Sequence, residues 1–369
     1  MTQALKKICY VLPRYDLEDH THFSHIHDFI FELAKRSEIF LVVETSLSAA
    51  QEIGGRLGVK AKVLASTGRP GILSSFFTLL EIRRKGWRDF YVHYSFLSAF
   101  SASLIVKILG GRVFYWNCGL PWNYRRSGWR ESFEKLVYRM VSYLVTGTES
   151  LAEQYSAHYG LSAKKIKVMP NWVTPEEFAV SKNETDELRS SLGILSDEKT
   201  MLFVHRLSPR KGAEFLPKIF KNLKLPVKLV IVGDGPSRGY LAKEFEAEIG
   251  ANKVKMMGWV AHRAVAEYYA AADVFLLPSQ EEGFPRVILE AMAAGLPFAA
   301  FDVGGVKEII PDEFLPNVAP LGDVERFTDI IVRLLAAQPQ QVSEWRQKAA
   351  IWVKKYETTA VAKKFLEMF

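Results

Sequence analysis

A chain of 369 residues with 49% hydrophobic and 24% charged side chains has room for two ordinary domains, and it carries no low-complexity tract and no repeat of fixed period. Its two cysteines, Cys9 and Cys118, exclude a disulfide framework and a cysteine-rich metal site and fit a reducing, cytoplasmic setting; no apolar run approaches the ~20 residues that cross a bilayer. The net charge of +7 is uneven: residues 1–175 hold 23 Lys and Arg against 14 Asp and Glu, the remainder 25 against 27, so the first half can meet nucleic acid, anionic headgroups or phosphorylated small molecules.

MTQALKKICYVLPRY enters a strand at once and lacks a small-residue cleavage site, which predicts no secretory signal. KICYVLP, EIFLVVE, RDFYVHYS, RVFYWNCG, YLVTGTES and KIKVMPNW follow as strands. Several are apolar throughout, as strands covered on both faces are. Helical periodicity lies between them, as in HDFIFELAKR, so the pattern predicts a parallel sheet with helical crossovers. The loop YDLEDHTHFSHIHD concentrates His20, His22, His25 and His27. These are ordinary loop and helix-start residues, or acceptor-recognising ones with His25 or His27 at a helix start, or metal ligands, for which no cysteine or placed acid completes a set.

Two stretches, ILSSFFTLLEIRRKGWRDF and NYRRSGWRESFEKLVYRMVSYL, interleave basic and aromatic residues. Each reads as an amphipathic helix packed on its sheet, or as a face that meets an anionic membrane. The charge asymmetry adds weight to peripheral contact at the inner face of the membrane. The polar stretch PEEFAVSKNETDELRSSLGILSDEKT has no strong strand and marks a join. The expected domains are residues 1–175 and 176–350, followed by a last helix over 351–369.

In the second half TMLFVHRL, KLVIVGDG, KVKMMG, ADVFLLPS and LPFAAFDV are strands, and after Glu325 the chain is helical. Two doubly wound domains then place ligands at the carboxyl ends of their strands. VIVGDGPSRG carries Gly233, Gly235 and Gly239, which miss the G-x-G-x-x-G spacing, so a nicotinamide site is not expected.

The segment ADVFLLPSQEEGFPRVILEAMAAGLPFAAFDVGG reads strand, loop, helix, loop, strand. Pro285 suits a first helical turn, and Gly283, Phe284 and Arg286 would present backbone N–H groups at the positive end of the helix dipole, a setting for phosphate or sugar hydroxyls. Glu290 sits among Ile288, Leu289, Ala291 and Met292. A buried carboxylate there requires a partner, which a ribose diol would supply. In VHRLSPRKGAEFL, Arg206 ends a strand and Lys211 precedes a helix. A cation at a helix start opposes the dipole, so an anionic ligand would explain Lys211, and the two cations together would neutralise a diphosphate leaving group.

Taken together, HRLSPRKG, VIVGDGP, MGWV, the E-G-F-x5-E run that joins Glu282 to Glu290, DVGGVKEII and MPNWVTPEEF resemble the large retaining glycosyltransferase family four (group 1) of GT-B fold. The resemblance is strong over residues 165–310 and covers nearly the whole chain by rhythm. It implies an α/β protein of two Rossmann-like doubly wound parallel-sheet domains facing a cleft, with the C-terminal helix crossing back to the first domain. The first domain would bind acceptor and the second a nucleotide-diphosphate sugar. Arg206 and Lys211 would hold the diphosphate, Glu282 the transferred sugar and Glu290 the ribose; Gly283, Phe284, Pro285, Trp259 and Val260 would line the sugar and base. Arg206, Lys211 and Glu282 are then the expected catalytic set.

No Asp-x-Asp pair occurs, so no metal and no cofactor beyond the donor is expected. Relatives carry a His–Gly where this chain has Asn117, Cys118 and Gly119. Asn117 and Cys118, with His25 and His27, are candidate acceptor-side residues, although a buried core cysteine is the plainer reading of Cys118. The expected activity moves a sugar, with retention, to a glycan or lipid-linked glycan in surface polysaccharide assembly, with no nucleic acid partner. A sugar-nucleotide epimerase of the same fold and a non-catalytic glycan- or nucleotide-binding relative are the alternatives.

Overall fold

The structure, a computed structural model, describes residues 5–17, 25–68 and 71–369. His20 and His22 lie outside them. The chain divides into two compact units, one of Met1–Pro170 with Thr358–Phe369 and one of Asn171–Glu357.

The first unit holds seven parallel strands: β1 (Lys6–Arg14), β2 (Ser37–Thr45), β3 (Lys60–Ala65), β4 (Asp89–His93), β5 (Arg112–Trp116), β6 (Tyr143–Thr146) and β7 (Ile166–Val168), in the order β3-β2-β1-β4-β5-β6-β7. The six strands expected from the sequence are present. The centre of β1, from Ile8 to Leu12, is wholly buried, as its apolar run requires of a strand covered on both faces. β3 escaped the reading because KAKVLA alternates Lys with Ala and pairs only with β2, at the sheet's edge.

The second unit holds six parallel strands: β8 (Lys199–Val204), β9 (Val227–Val232), β10 (Val254–Gly258), β11 (Val274–Leu277), β12 (Phe298–Phe301) and β13 (Val318–Ala319), in the order β10-β9-β8-β11-β12-β13. β13, two residues long, is too short to leave a periodic signature. The stretch read as a join contains the helix Lys182–Ser191, closed by a capping box in which Ser181 and Glu184 satisfy each other's backbone N–H groups. This helix packs on the helix His262–Ala271 of the second unit.

In each sheet the strand order reverses once, at β1/β4 and at β8/β11. Doubly wound sheets bind their ligands at such switch points, beyond the carboxyl ends of the strands. The terminal helix Thr358–Glu367 belongs to the first unit. It packs on the helix Ile26–Ala34, with Phe365 against Tyr10, Phe29 and Tyr91, and Lys6 donating to the Leu366 carbonyl.

Candidate active site

The β8/β11 switch point gathers four of the residues that the sequence singled out, Arg206, Lys211, Glu282 and Glu290. After β8 the chain passes His205 and Arg206 and turns through Pro209–Lys211 into Gly212. Gly212 has φ +72°, and a Cβ there would stand 1.8 Å from the Pro278 carbonyl oxygen at the end of β11. Only a glycine lets the Lys211 turn lie so close. From the other side Gly304, at φ +50°, would drive a Cβ to 1.6 Å from the Glu282 carbonyl oxygen. The Glu282 loop is thus held between two backbone approaches.

The outcome is a compact ionic cluster. Lys211 Nζ donates to Glu282 Oε1 at 2.8 Å, and Ser279 Oγ donates to the same oxygen at 2.8 Å. His205 Nε2 stands 3.3 Å from it. His205 Nδ1 accepts the Arg206 backbone N–H at 2.9 Å, which leaves the imidazole proton on Nε2, directed at Glu282. Glu282 is 5% exposed. Burial pushes its carboxyl up, but the Lys211 ammonium and the bond from His205 outweigh it and hold the group well below the usual carboxylate range. Burial, reinforced by the Lys211 charge, pushes His205 down, so it stays neutral at pH 7.

The expected reason for Lys211 is corrected. It closes a short 3-10 turn, and the helix Leu216–Asn222 begins only beyond a second such turn, so no helix dipole opposes it. Its partner is Glu282, within the chain. Arg206 is exposed, and no hydrogen bond or ion pair engages its guanidinium among the described residues.

The second cluster surrounds Glu290, on the helix Arg286–Ala293, 6% exposed. Arg286 Nη2 donates to Oε1 at 3.0 Å and Tyr269 OH to Oε2 at 3.1 Å, with His262 Nε2 at 3.7 Å. Burial raises the carboxyl, but His262, Arg286 and Tyr269 bring it down to about 2. Glu290 is therefore ionised, and its need for a partner is met without a ligand, contrary to the expectation. A carboxylate has about four acceptor positions, so capacity for a diol remains. Pro285 stands at the N-cap position rather than inside the helix. The Arg286 N–H is also not free: it donates to the Phe284 carbonyl at 3.0 Å.

The sequence reading missed His205, Ser279, Tyr269, His262 and the role of Arg286. Two had a local signal: Ser279 lies three positions before Glu282, and Arg286 and Glu290 are one helical turn apart. Trp259 and Val260 follow β10, two strands from β8; Trp259 is half exposed, and Val260 packs on the core. Gly233 and Gly235 flank the turn beside His205, where Gly233 donates to the Gly258 carbonyl and Leu207 to that of Asp234.

In the first unit, His25 stands at the N-cap position of the helix Ile26–Ala34, and His27 Nδ1 bonds Tyr15 OH at 2.8 Å. Asn117 Nδ2 donates to Tyr138 OH at 2.9 Å. Cys118 is buried, and burial pushes its thiol far up, so it forms no thiolate near neutral pH. Among the described residues no group of three or more His, Cys, Asp or Glu could hold a metal ion, and no helix is long and apolar enough to cross a membrane.

Two family models match in tandem, Glycosyltransferase Family 4 over residues 23–177 and Glycosyl transferases group 1 over residues 184–352. The chain belongs to this glycosyltransferase family. Within it, the chain is 39% identical over 177 residues to an uncharacterized glycosyltransferase of Methanocaldococcus jannaschii, a stretch that is 46% of this chain and 45% of that protein. It is 33% identical over 176 residues, 46% of this chain and 45% of the relative, to the UDP-Gal:alpha-D-GlcNAc-diphosphoundecaprenol alpha-1,3-galactosyltransferase of Escherichia coli. The chain thus spans about half the length of these curated relatives. Solved structures match across its length. Anabaena HepE in complex with UDP and glucose superposes with a TM-score of 0.80 at 18% identity, covering 98% of this chain and 99% of that one. WaaG, a glycosyltransferase involved in lipopolysaccharide biosynthesis, gives 0.72 at 14%, covering 98% and 99%. Two parallel-sheet units with a returning terminal helix are the GT-B fold of these neighbours.

Proposed function

We propose that the chain transfers a sugar from a nucleotide-diphosphate donor to a glycan or lipid-linked glycan, with retention and without a metal cofactor, in surface polysaccharide assembly. The observation that carries this reading is the pair of buried, ionised carboxylates, Glu282 and Glu290, each tied to its own cation at the β8/β11 switch point, with Arg206 exposed beside them. Arg206 and Lys211 bind the diphosphate and neutralise the charge that builds on it as the sugar–phosphate bond breaks. Lys211 has three donors and commits one to Glu282, so it can reach a phosphate oxygen without breaking that bond. Glu282, fixed in place by Lys211, Ser279 and His205, accepts a hydroxyl of the transferred sugar. Glu290 accepts the ribose diol, and Gly283, Phe284, Pro285, Trp259 and Val260 line the sugar and base.

HepE, crystallised with UDP and glucose, and the E. coli relative, named for transfer to a diphosphoundecaprenol-linked sugar, support this choice of donor and acceptor classes. The second unit is accordingly the donor domain and the first the acceptor domain, whose excess of basic residues suits the inner face of an anionic membrane. The test is thermal stabilisation by uridine, guanosine, thymidine and adenosine diphosphates, followed by a donor-by-acceptor transfer screen. One nucleotide at ~100 times its Kd should stabilise by about 2.7 kcal/mol. Absence of any shift at millimolar concentration refutes the donor site.

A further inference from the structure

The first unit contains a cavity of about 160 Å³ that the donor chemistry does not use. It lies beyond the carboxyl ends of β4 and β5, the edge where doubly wound sheets bind ligands. Tyr94, Phe96 and Tyr115 form its aromatic part, and Asn117, Arg126, Arg130 and Glu134 its polar part. It is smaller than the ~300–1,000 Å³ of drug-sized sites, so it suits a single ring rather than an extended chain.

Two features set this cavity apart from a packing gap. Tyr94 has φ +56°, a conformation that costs a bulky residue about 1–3 kcal/mol and that collects at functional sites. Its N–H is held by the Trp116 carbonyl at 3.1 Å and its ring stacks on His93, yet it remains 42% exposed. The polar side is also ordered in advance. Arg126 pairs with Glu134, Glu134 Oε1 accepts from Tyr138 OH at 3.1 Å, Tyr138 accepts from Asn117 Nδ2, and Asn117 Oδ1 accepts the Gly119 N–H at 2.9 Å. Arg130 is exposed and no hydrogen bond or ion pair engages it among the described residues; its charge reaches Glu134 only through space. Two guanidinium groups against one carboxylate leave the lining with a net positive charge.

We propose that this cavity is the subsite for an acidic sugar, a monosaccharide unit bearing a carboxylate or a phosphate. The tyrosine and phenylalanine rings pack against the apolar face of the pyranose. Asn117 and the free edge of Arg126 bond its hydroxyls, and Arg130 takes the anionic group with its planar fork. That this sugar belongs to the acceptor rests on the transferase reading; its binding does not.

The full-length protein is titrated with glucuronate, glucose 6-phosphate and glucose by ligand-observed NMR, in the wild type, in Arg130→Gln and in Tyr94→Asn, a residue that tolerates the left-handed backbone. At least one acid should bind at least tenfold more tightly than glucose, and which one binds identifies the anionic group. Arg130→Gln should weaken that acid by roughly tenfold and leave glucose unchanged; Tyr94→Asn should weaken both. Equal binding of acid and glucose, no effect of Arg130→Gln, or no sugar binding overturns the proposal. Thermal stabilisation by uridine, guanosine, thymidine and adenosine diphosphates in the same samples keeps the two readings apart. If one of them binds and the acids do not, only the cavity falls; if an acid binds and no nucleotide does, only the donor site falls.

Discussion

Lys211→Met tests whether the Glu282 cluster is electrostatic in the way its geometry implies. The substitution keeps the volume of the stem and removes the charge. Lys211 is 13% exposed in its side chain and Glu282 5%, so the carboxylate that remains is buried without its main counter-charge. Losing one member of such a pair costs about 3–5 kcal/mol, or roughly 10 °C of Tm for a unit of this size.

The pH dependence carries the sharper test. In the wild type both Glu282 and His205 titrate below their unfolded values, so the unfolded chain binds more protons and stability rises with pH. Their contribution is complete above the unfolded histidine range and declines as pH falls, through the histidine range and then the carboxylate range. In Lys211→Met burial raises the Glu282 carboxyl, and His205, freed from the lysine's field and facing a carboxylate, rises too. The folded pair now takes up a proton more readily than in the wild type, and the variant gains on the wild type as pH falls from 8 to 5. Calorimetry over that range reads the difference. A variant within a degree or two of the wild type at pH 8, or a gap that widens on acidification, refutes the cluster.

Glu290→Gln retains the shape but turns Arg286 into a buried cation without a counter-charge, and should cost about 2–4 kcal/mol along with at least tenfold in nucleotide affinity by calorimetric titration. The carboxyl titrates at about 2, below its unfolded value, so its stabilisation is present above pH ~4.5, is lost as pH falls towards 2, and should vanish from the acid unfolding curve of the variant. Gly212→Ala places a methyl 1.8 Å from the Pro278 oxygen at positive φ and should lower stability by more than about 2 kcal/mol while displacing Lys211; a wild-type unfolding midpoint would contradict the close approach. Cys9 and Cys118 are buried with thiols pushed far up, so neither should react with a thiol reagent at pH 8 until denaturant is added, as mass spectrometry of alkylated protein would show.

Much of the fold was legible because buried parallel strands are apolar on both faces. TMLFV, KLVIV and VFLL declare themselves within a few residues, and the crossover helices declare themselves by period. β3 and β13 were not legible: one alternates at a sheet edge and the other is two residues long. The partnership of Arg286 with Glu290 lies within one helical turn and could have been read. That of Tyr269 and His262 with the same carboxylate could not, since a strand and two loops intervene.

The residue types at the site, two glutamates on one strand–loop–helix and two cations on another, follow from the sequence alone. Which cation meets which carboxylate was decided by the tertiary structure. Lys211 and Glu282 are 71 positions apart and meet because β8 and β11 are neighbours in the sheet order, an adjacency that no local periodicity encodes. The same holds for Gly212 and Gly304, whose necessity comes from backbones 66 and 22 positions away. Short-range patterns report burial and period, whereas ionic partners and close approaches depend on the order in which the strands assemble.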